Sequence, residues 1–328
     1  MKRPTALVTG GCGFVGRHFV KRLLGSGYAV TVVDDLSTGL ALEQWPAHLK
    51  PSTGEEDRLL YCKGDFREYS KSVPADFDLI VHLAAVVGGR MTIEGDPLAV
   101  ATDLAIDATF FNWAVKSRPM PRKVLFFSSS AAYPISLQTA EYSVPLAEHM
   151  IDFEKKLELP DMTYGWAKLT GEFLAQFAAR QYGLDVVCYR PFSGYGEDQD
   201  FTYPFPSVIR RVARKESPIV VWGSGKQLRD FIYIEDCIDG IFATMNRMRP
   251  GDAMNLGSGV GVSFAQLAVM ASGIIGHRAE VINDPTKPEG VFARVADCGR
   301  FFQFYKPKTS LEQGIEIVYR YQQQAGLI

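Results

Sequence analysis

Tyr164 and Lys168 stand four apart in Tyr164-Gly165-Trp166-Ala167-Lys168, and their types allow proton chemistry. On a helix that spacing puts both side chains on one face. A phenol ordinarily loses its proton at about pH 10, so alone it is a poor base at neutral pH. An ammonium held beside it favours the phenolate and lowers that pKa. A tyrosine tuned in this way can take a proton from a sugar hydroxyl while a nicotinamide takes the hydride. Alone, Tyr-x-x-x-Lys is equally ordinary helix surface; the residues upstream give it weight.

Ser128-Ser129-Ser130-Ala131-Ala132-Tyr133-Pro134 ends an apolar run, Val124-Leu125-Phe126-Phe127. A hydroxyl at the C-terminal end of a central strand is where an open α/β sheet puts its site. Counting back from Tyr133 makes Ser129 the third catalytic candidate, and counting forward from the strand makes it Ser130.

The cofactor end is written at the start of the chain. Ala6-Leu7-Val8-Thr9 reads as a strand that breaks into Gly10-Gly11-Cys12-Gly13-Phe14-Val15-Gly16. Gly10, Gly13 and Gly16 give G-x-x-G-x-x-G between a strand and a helix of about 15–24. That context suits a tight turn, close backbone approach to a pyrophosphate, and a helix N-terminus aimed at it. The next strand, 29–33, ends in Asp34-Asp35. A carboxylate there can bind the adenosine ribose hydroxyls and would repel a 2′-phosphate, so Asp34, with Asp35 second, favours NAD over NADP. Gly64-Asp65-Phe66 closes a third strand, 59–63, and Asp65 could accept from an adenine amino group. Leu79 to Ala85 is a near-continuous apolar run, as for a parallel strand covered on both faces. Leu83, Ala84 and Ala85 would let a flat cofactor approach, while His82 reads as a packed strand residue. A long helix is expected over 97–117.

Strand and helix alternate through Asp185–Arg190, which argues for an α/β, Rossmann-type doubly wound parallel sheet. The character changes at about 191. The expected division is a dinucleotide-binding domain over 1–190, rejoined by 229–247, and a smaller substrate domain from 191–228 and 248–328. Arg210 to Lys215 reads as a solvated helix face.

Composition excludes several classes. In 328 residues, 47% hydrophobic and 22% charged content is ordinary for a globular protein, and a net charge of -2 gives no electrostatic case for nucleic acid or an anionic membrane. No apolar run in the sequence reads as the ~20 residues that span a bilayer. Five scattered cysteines and five scattered histidines show no metal-ligand spacing, so no metal is expected, and reduced thiols suggest a cytoplasmic protein.

Together the Gly10–Gly16 turn, Asp34, Gly64-Asp65, His82 to Ala85, the serine run, Tyr164 to Lys168, Arg190 to Gly196 and Arg229 to Asp236 resemble the extended short-chain dehydrogenase/reductase family, in particular its nucleotide-sugar epimerases and dehydratases. The resemblance covers nearly the whole chain. It implies NAD, a nucleoside-diphosphate sugar as substrate, and a homodimer built on helices near 97–117 and 164–181. It implies cofactor contacts from the residues of the two glycine turns (Gly10, Gly13, Phe14, Val15, Gly16; Asp65, Phe66), from Asp34 and Leu83 to Ala85, and from Tyr164 and Lys168. Gly88, Arg90, Ser193, Arg229 and Arg294 would meet the substrate, the last two at its diphosphate. Val86 to Gly89 and Ala132-Tyr133-Pro134 resemble GDP-fucose synthases and GDP-mannose 3,5-epimerases, but their epimerising cysteine falls on Ala131. The acidic residue that drives dehydration is also absent from the serine loop. Asp103 stands where an asparagine is usual. What remains suits 4-epimerisation through a transient 4-keto sugar. The alternatives are a 4-keto-sugar reductase consuming NAD(P)H, and a non-catalytic dinucleotide sensor on the same fold.

Overall fold

The computed structural model describes residues 3–86 and 95–328. Seven strands form the main sheet: β1 (Thr5–Thr9), β2 (Ala29–Asp34), β3 (Leu59–Lys63), β4 (Leu79–His82), β5 (Val124–Phe127), β6 (Val186–Pro191) and β10 (Ala253–Leu256). Their order is β10-β6-β5-β4-β1-β2-β3, and every pairing is parallel. β4 and β5 are buried at every residue, as strands covered on both faces must be. The strand order reverses at β1, which has β2 on one side and β4 on the other. A crevice opens at the carboxyl ends of the strands at such a point.

Helices cover both faces. α1 (Phe14–Gly25) buries Phe19, Val20, Leu23 and Leu24 on one of them. On the other lie the short α2 (Phe66–Tyr69) and α3 (Pro97–Val100), then α4 (Thr102–Lys116) and α5 (Met162–Tyr182). The helix expected over 97–117 is therefore two, broken at Ala101. By length and composition 97–116 could cross a bilayer; here α4 packs Phe110, Phe111 and Trp113 into the core beneath the sheet.

The second unit holds β7 (Ser193–Tyr195), α6 (Pro204–Ala213), β8 (Ile219–Trp222), β9 (Leu228–Tyr233), β11 (Gly261–Ser263), α8 (Phe264–Ile275), β12 (Val281–Asp284), β13 (Ala293–Arg294) and α9 (Leu311–Gln324). Ser263 and Ser310 each cap a helix in a box with the glutamine three residues on, which fixes where α8 and α9 begin. β9 is the hub of its sheet, pairing with β7, β11 and β13.

Two boundaries differ from the sequence expectation. Arg229 to Tyr233 pairs in the second sheet, though Ile232 already packs into the main core, and the helix after it, α7 (Ile234–Thr244), joins that core through Ile234, Cys237, Ile238 and Ile241. One edge strand of the main sheet, β10, comes from the segment expected in the second domain. A four-residue run between glycine-rich turns carries too little pattern to declare its partner.

Candidate active site

β1 and β4 frame the cofactor cradle. Gly10 has φ +69°, and a Cβ on it would lie 2.9 Å from the backbone nitrogen of Ala84. A Cβ on Gly16 would lie 2.3 Å from the Gly10 carbonyl oxygen. The turn therefore accepts no side chain at either place. Gly13 caps α1 without any side-chain bond and no acid occupies the first turn, so the N–H groups there suit a pyrophosphate. Leu83 and Ala84 donate their N–H groups to the Thr9 hydroxyl, both at 3.2 Å, which holds the floor of the crevice against the glycine turn.

Asp34 lies at the end of β2, nearly buried. Its Oδ2 accepts from the Cys12 N–H at 2.9 Å and its Oδ1 from the Leu36 N–H at 2.8 Å. Burial raises its pKa against those two bonds. Each oxygen keeps acceptor capacity beyond its one backbone bond, and a negative charge there opposes a phosphate. Asp65 is occupied differently. It caps α2 and takes Arg67 Nε on both oxygens at 3.0 Å. Phe66 beside it is a core residue. The cradle and its acceptor set fit NAD.

Tyr164 and Lys168 lie on one face of α5, with the lysine Nζ 5.7 Å from the tyrosine ring centre and 5.8 Å from that of Phe126 on β5. The serine loop meets the start of this helix. Ser129 caps the turn Ser130–Ala132, its hydroxyl accepting from the Ala131 N–H. Asp161 donates its N–H to the Ala131 carbonyl, and a Cβ on Gly165 would lie 2.4 Å from that same oxygen. Glycine between Tyr164 and Trp166 is thus what lets loop and helix touch. Of the two candidate hydroxyls, Ser129 is the one that acts on the Tyr164 phenol, favouring its ionised form. Ser130 is buried in the turn, and Ser128 faces away to donate to Glu172.

Lys168 alone does not make Tyr164 acidic. Burial is the largest influence and raises the phenol above its ordinary value; Lys168 and Ser129 pull down, and Asp103 and Asp107 push up. For Lys168 burial again has the largest effect, downward, yet Asp107, Tyr164 and Asp103 together carry it up. Tyr203, from the loop before α6, also faces Tyr164; burial lifts its phenol to about 12, with Tyr164 and Asp200 adding.

Several of these groups escape the sequence. His82 sits at the end of β4, stacked on Phe110 with ring centres 3.8 Å apart. One ring nitrogen meets the Thr9 hydroxyl at 2.8 Å and the other Asp107 at 3.2 Å. Asp103 and Asp107 are four apart on α4, and that spacing is the signal that could have shown them sharing a face. Asp103 appears in the sequence only as a departure from an asparagine.

On the substrate side, Arg229 and Arg294 are register partners across β9 and β13, so two guanidinium groups start from adjacent points of one sheet. Arg229 lies over the Phe264 ring and donates to the Leu228 and Val291 carbonyls. Arg294 donates to Gln138 and to Asp161, each at 2.8 Å. Asp161 is three residues before Tyr164, so this arginine touches the base of the tyrosine helix. Ser193 lies half-buried on β7 opposite Phe231. Gly88 and Arg90 lie outside the described residues. Arg210 rests on the Phe201 ring and Arg211 pairs with Glu216, as a structural helix face would.

The model of the NAD dependent epimerase/dehydratase family matches residues 6–257. Among curated proteins, the chain is 28% identical over 254 residues to a probable GDP-L-fucose synthase 1 of Oryza sativa subsp. japonica, covering 74% of this chain and 75% of that one. It is 27% identical over 317 residues to a putative UDP-glucose 4-epimerase of Methanocaldococcus jannaschii, covering 95% and 96%. Among solved structures, UDP-glucuronic acid 4-epimerase from Bacillus cereus, in complex with UDP-glucuronic acid and NAD, superposes with a TM-score of 0.78 at 27% identity, covering 98% of this chain and 99% of that one.

Proposed function

The chain belongs to the NAD dependent epimerase/dehydratase family, and from that premise we propose that it is an NAD-dependent nucleotide-sugar 4-epimerase. The observation that carries the reading is a complete Ser129–Tyr164–Lys168 set beside a serine loop that continues as Ala131 and Ala132. One carbinol proton can be handled there. No acid or thiol stands in that loop to drive elimination or to invert a neighbouring carbon.

Bound NAD would supply a hydride acceptor and a positive charge near the phenol. The chain does the rest. Tyr164 takes the C4 hydroxyl proton, Ser129 holds the sugar oxygen, and Lys168 favours the phenolate over the phenol. Asp34 would hold the adenosine ribose. Arg229 and Arg294 would grip the diphosphate with forked donors, a geometry suited to two phosphate oxygens. After the sugar turns, the same tyrosine would return the proton to the 4-keto oxygen as the hydride returns to the other face of C4, so no cofactor would be consumed.

Denaturing the purified protein and identifying what it releases tests this, followed by NMR of UDP- and GDP-hexoses incubated with it. Stoichiometric NAD and a changed C4 configuration are the expected results. A 4-keto-sugar reductase is the second reading, favoured by the likeness to a GDP-L-fucose synthase; empty protein with steady turnover of external NADPH would put it first.

The partner would be a second copy of the chain. Trp166, Phe173 and Phe177 form an exposed stripe on α5, with Leu104 exposed on α4 beside it. Phe173→Glu with Phe177→Glu should halve the mass seen by light scattering. Five free thiols support a cytoplasmic location, which cell fractionation would check.

A further inference from the structure

Lys168 sits in a buried cluster with one cation and two carboxylates. Asp103 is 0% exposed and Asp107 1%. Asp103 Oδ2 is 4.0 Å from Lys168 Nζ, too far for a hydrogen bond. Its Oδ1 accepts the Val86 N–H at 2.6 Å. Asp107 Oδ1 meets His82. The second oxygen of each carboxylate has no hydrogen-bond partner among the described residues. Two buried acceptors without donors are costly, and both flank the lysine that must favour the phenolate.

We propose that Asp103 is a positioning residue of the reaction: its carboxylate, acting on Tyr164 and through Lys168, sets the pH at which the tyrosine can take the substrate proton. The inference rests on the reading of Tyr164 as the base. The groups that face Asp103 and this pair come from every element around them: Lys168 and Tyr164 on α5, Asp107 on α4, His82 on β4, the Val86 N–H after it, Ser129 on the serine loop and Tyr203 before α6. His82 is driven toward neutrality chiefly by burial, with Asp107 and its hydrogen bond opposing, so it adds little charge.

The sign follows from charge. An ionised Asp103 favours protonated Tyr164 and protonated Lys168. It therefore opposes the phenolate and holds the acid limb of activity high. Burial, opposed by Lys168 and the Val86 bond, lifts the Asp103 carboxyl itself to about 6. As pH falls through that value its charge disappears and the opposition with it. The same carboxylate also anchors Val86, at the edge of the cofactor crevice, and an asparagine keeps that acceptor while removing the charge.

Asp103→Asn separates the two roles. The pH profile of kcat for sugar-nucleotide turnover should move its acid limb down by about one unit, a roughly tenfold gain below the limb. NMR of isotope-labelled tyrosine, with the Tyr164 signal assigned by its loss in Tyr164→Phe, should show the phenol titrating lower by a similar amount. Asp103→Ala, which also releases Val86, should lose activity at every pH. A uniform slowing in Asp103→Asn, with limb and titration unmoved, would overturn the inference. A moved titration with no turnover of any sugar nucleotide would show the hold of Asp103 on the phenol but remove the base reading, and with it the role in the reaction inferred for Asp103.

Discussion

Two buried ion clusters share the helix α5, one turn apart, and they are built in opposite ways. Glu172 pairs with Arg190 through two bonds, at 2.9 and 2.6 Å, and also accepts from Ser128. Arg190 reaches on to the Tyr133 hydroxyl at 2.9 Å and the Glu148 carbonyl at 3.0 Å, and Tyr133 donates to Asn255 at 2.7 Å. Every charged group there has partners. Four residues earlier, Lys168 stands 4.0 Å from its nearer carboxylate and two carboxylate oxygens are left over. The same helix thus carries a satisfied cluster that fixes geometry and an unsatisfied one that leaves proton affinity open to adjustment. Full satisfaction makes a buried charge inert. Partial satisfaction keeps it available.

The contrast breaks most sharply at Tyr164. Tyr164→Phe should cut turnover about 10³-fold, the scale of a lost general base, with the thermal unfolding curve little changed. Arg190→Met should do the reverse. It strands a buried Glu172, and unfolding in denaturant should lose about 3–5 kcal/mol while turnover per folded molecule holds. Asp103→Asn gives the smallest effect and the most telling sign. The folded-state pKa of Asp103 is raised to about 6 from an ordinary carboxyl value. Folding therefore loses stability as pH rises between those values, and the loss is complete above about 6. Removing the charge should stabilise the protein at pH 7 by about 2–3 kcal/mol, a gain that vanishes on acidification to about pH 4. A loss of stability at pH 7 would mean that the Lys168 cluster is as well matched as the Arg190 cluster.

Local patterns made much of this legible in the sequence. The strand–glycine–helix start, the double-aspartate strand end and Tyr-x-x-x-Lys are each contained within a few residues, so spacing alone places them. Long-range pairings are not written that way. Nothing near His82 points to Asp107, and nothing near Arg294 points to Asp161; each pair meets only because the sheet and helices bring distant segments together. The choice between Ser129 and Ser130 depended on where β5 stops. The strand ends at Phe127, and that puts Ser129 at the cap of the turn and Ser130 inside it. The expectation that Lys168 lowers the tyrosine pKa had the right sign for that one influence. It missed burial and the two aspartates, which the sequence places on a face but not at a depth.

The late strand β10 has a consequence for synthesis. A chain emerging from the ribosome has six of the seven main-sheet strands by Pro191, and then must produce some sixty more residues before Ala253–Leu256 appears. Until then β6 is an open edge with unpaired backbone groups, a surface on which another chain can pair. Asn255 is also missing, so Tyr133 lacks its acceptor and the Arg190 cluster is incomplete. Vectorial synthesis therefore presents this domain for a time as a nearly finished sheet with one sticky side, and the part of the second unit from β7 to β9 must be made before the first can close.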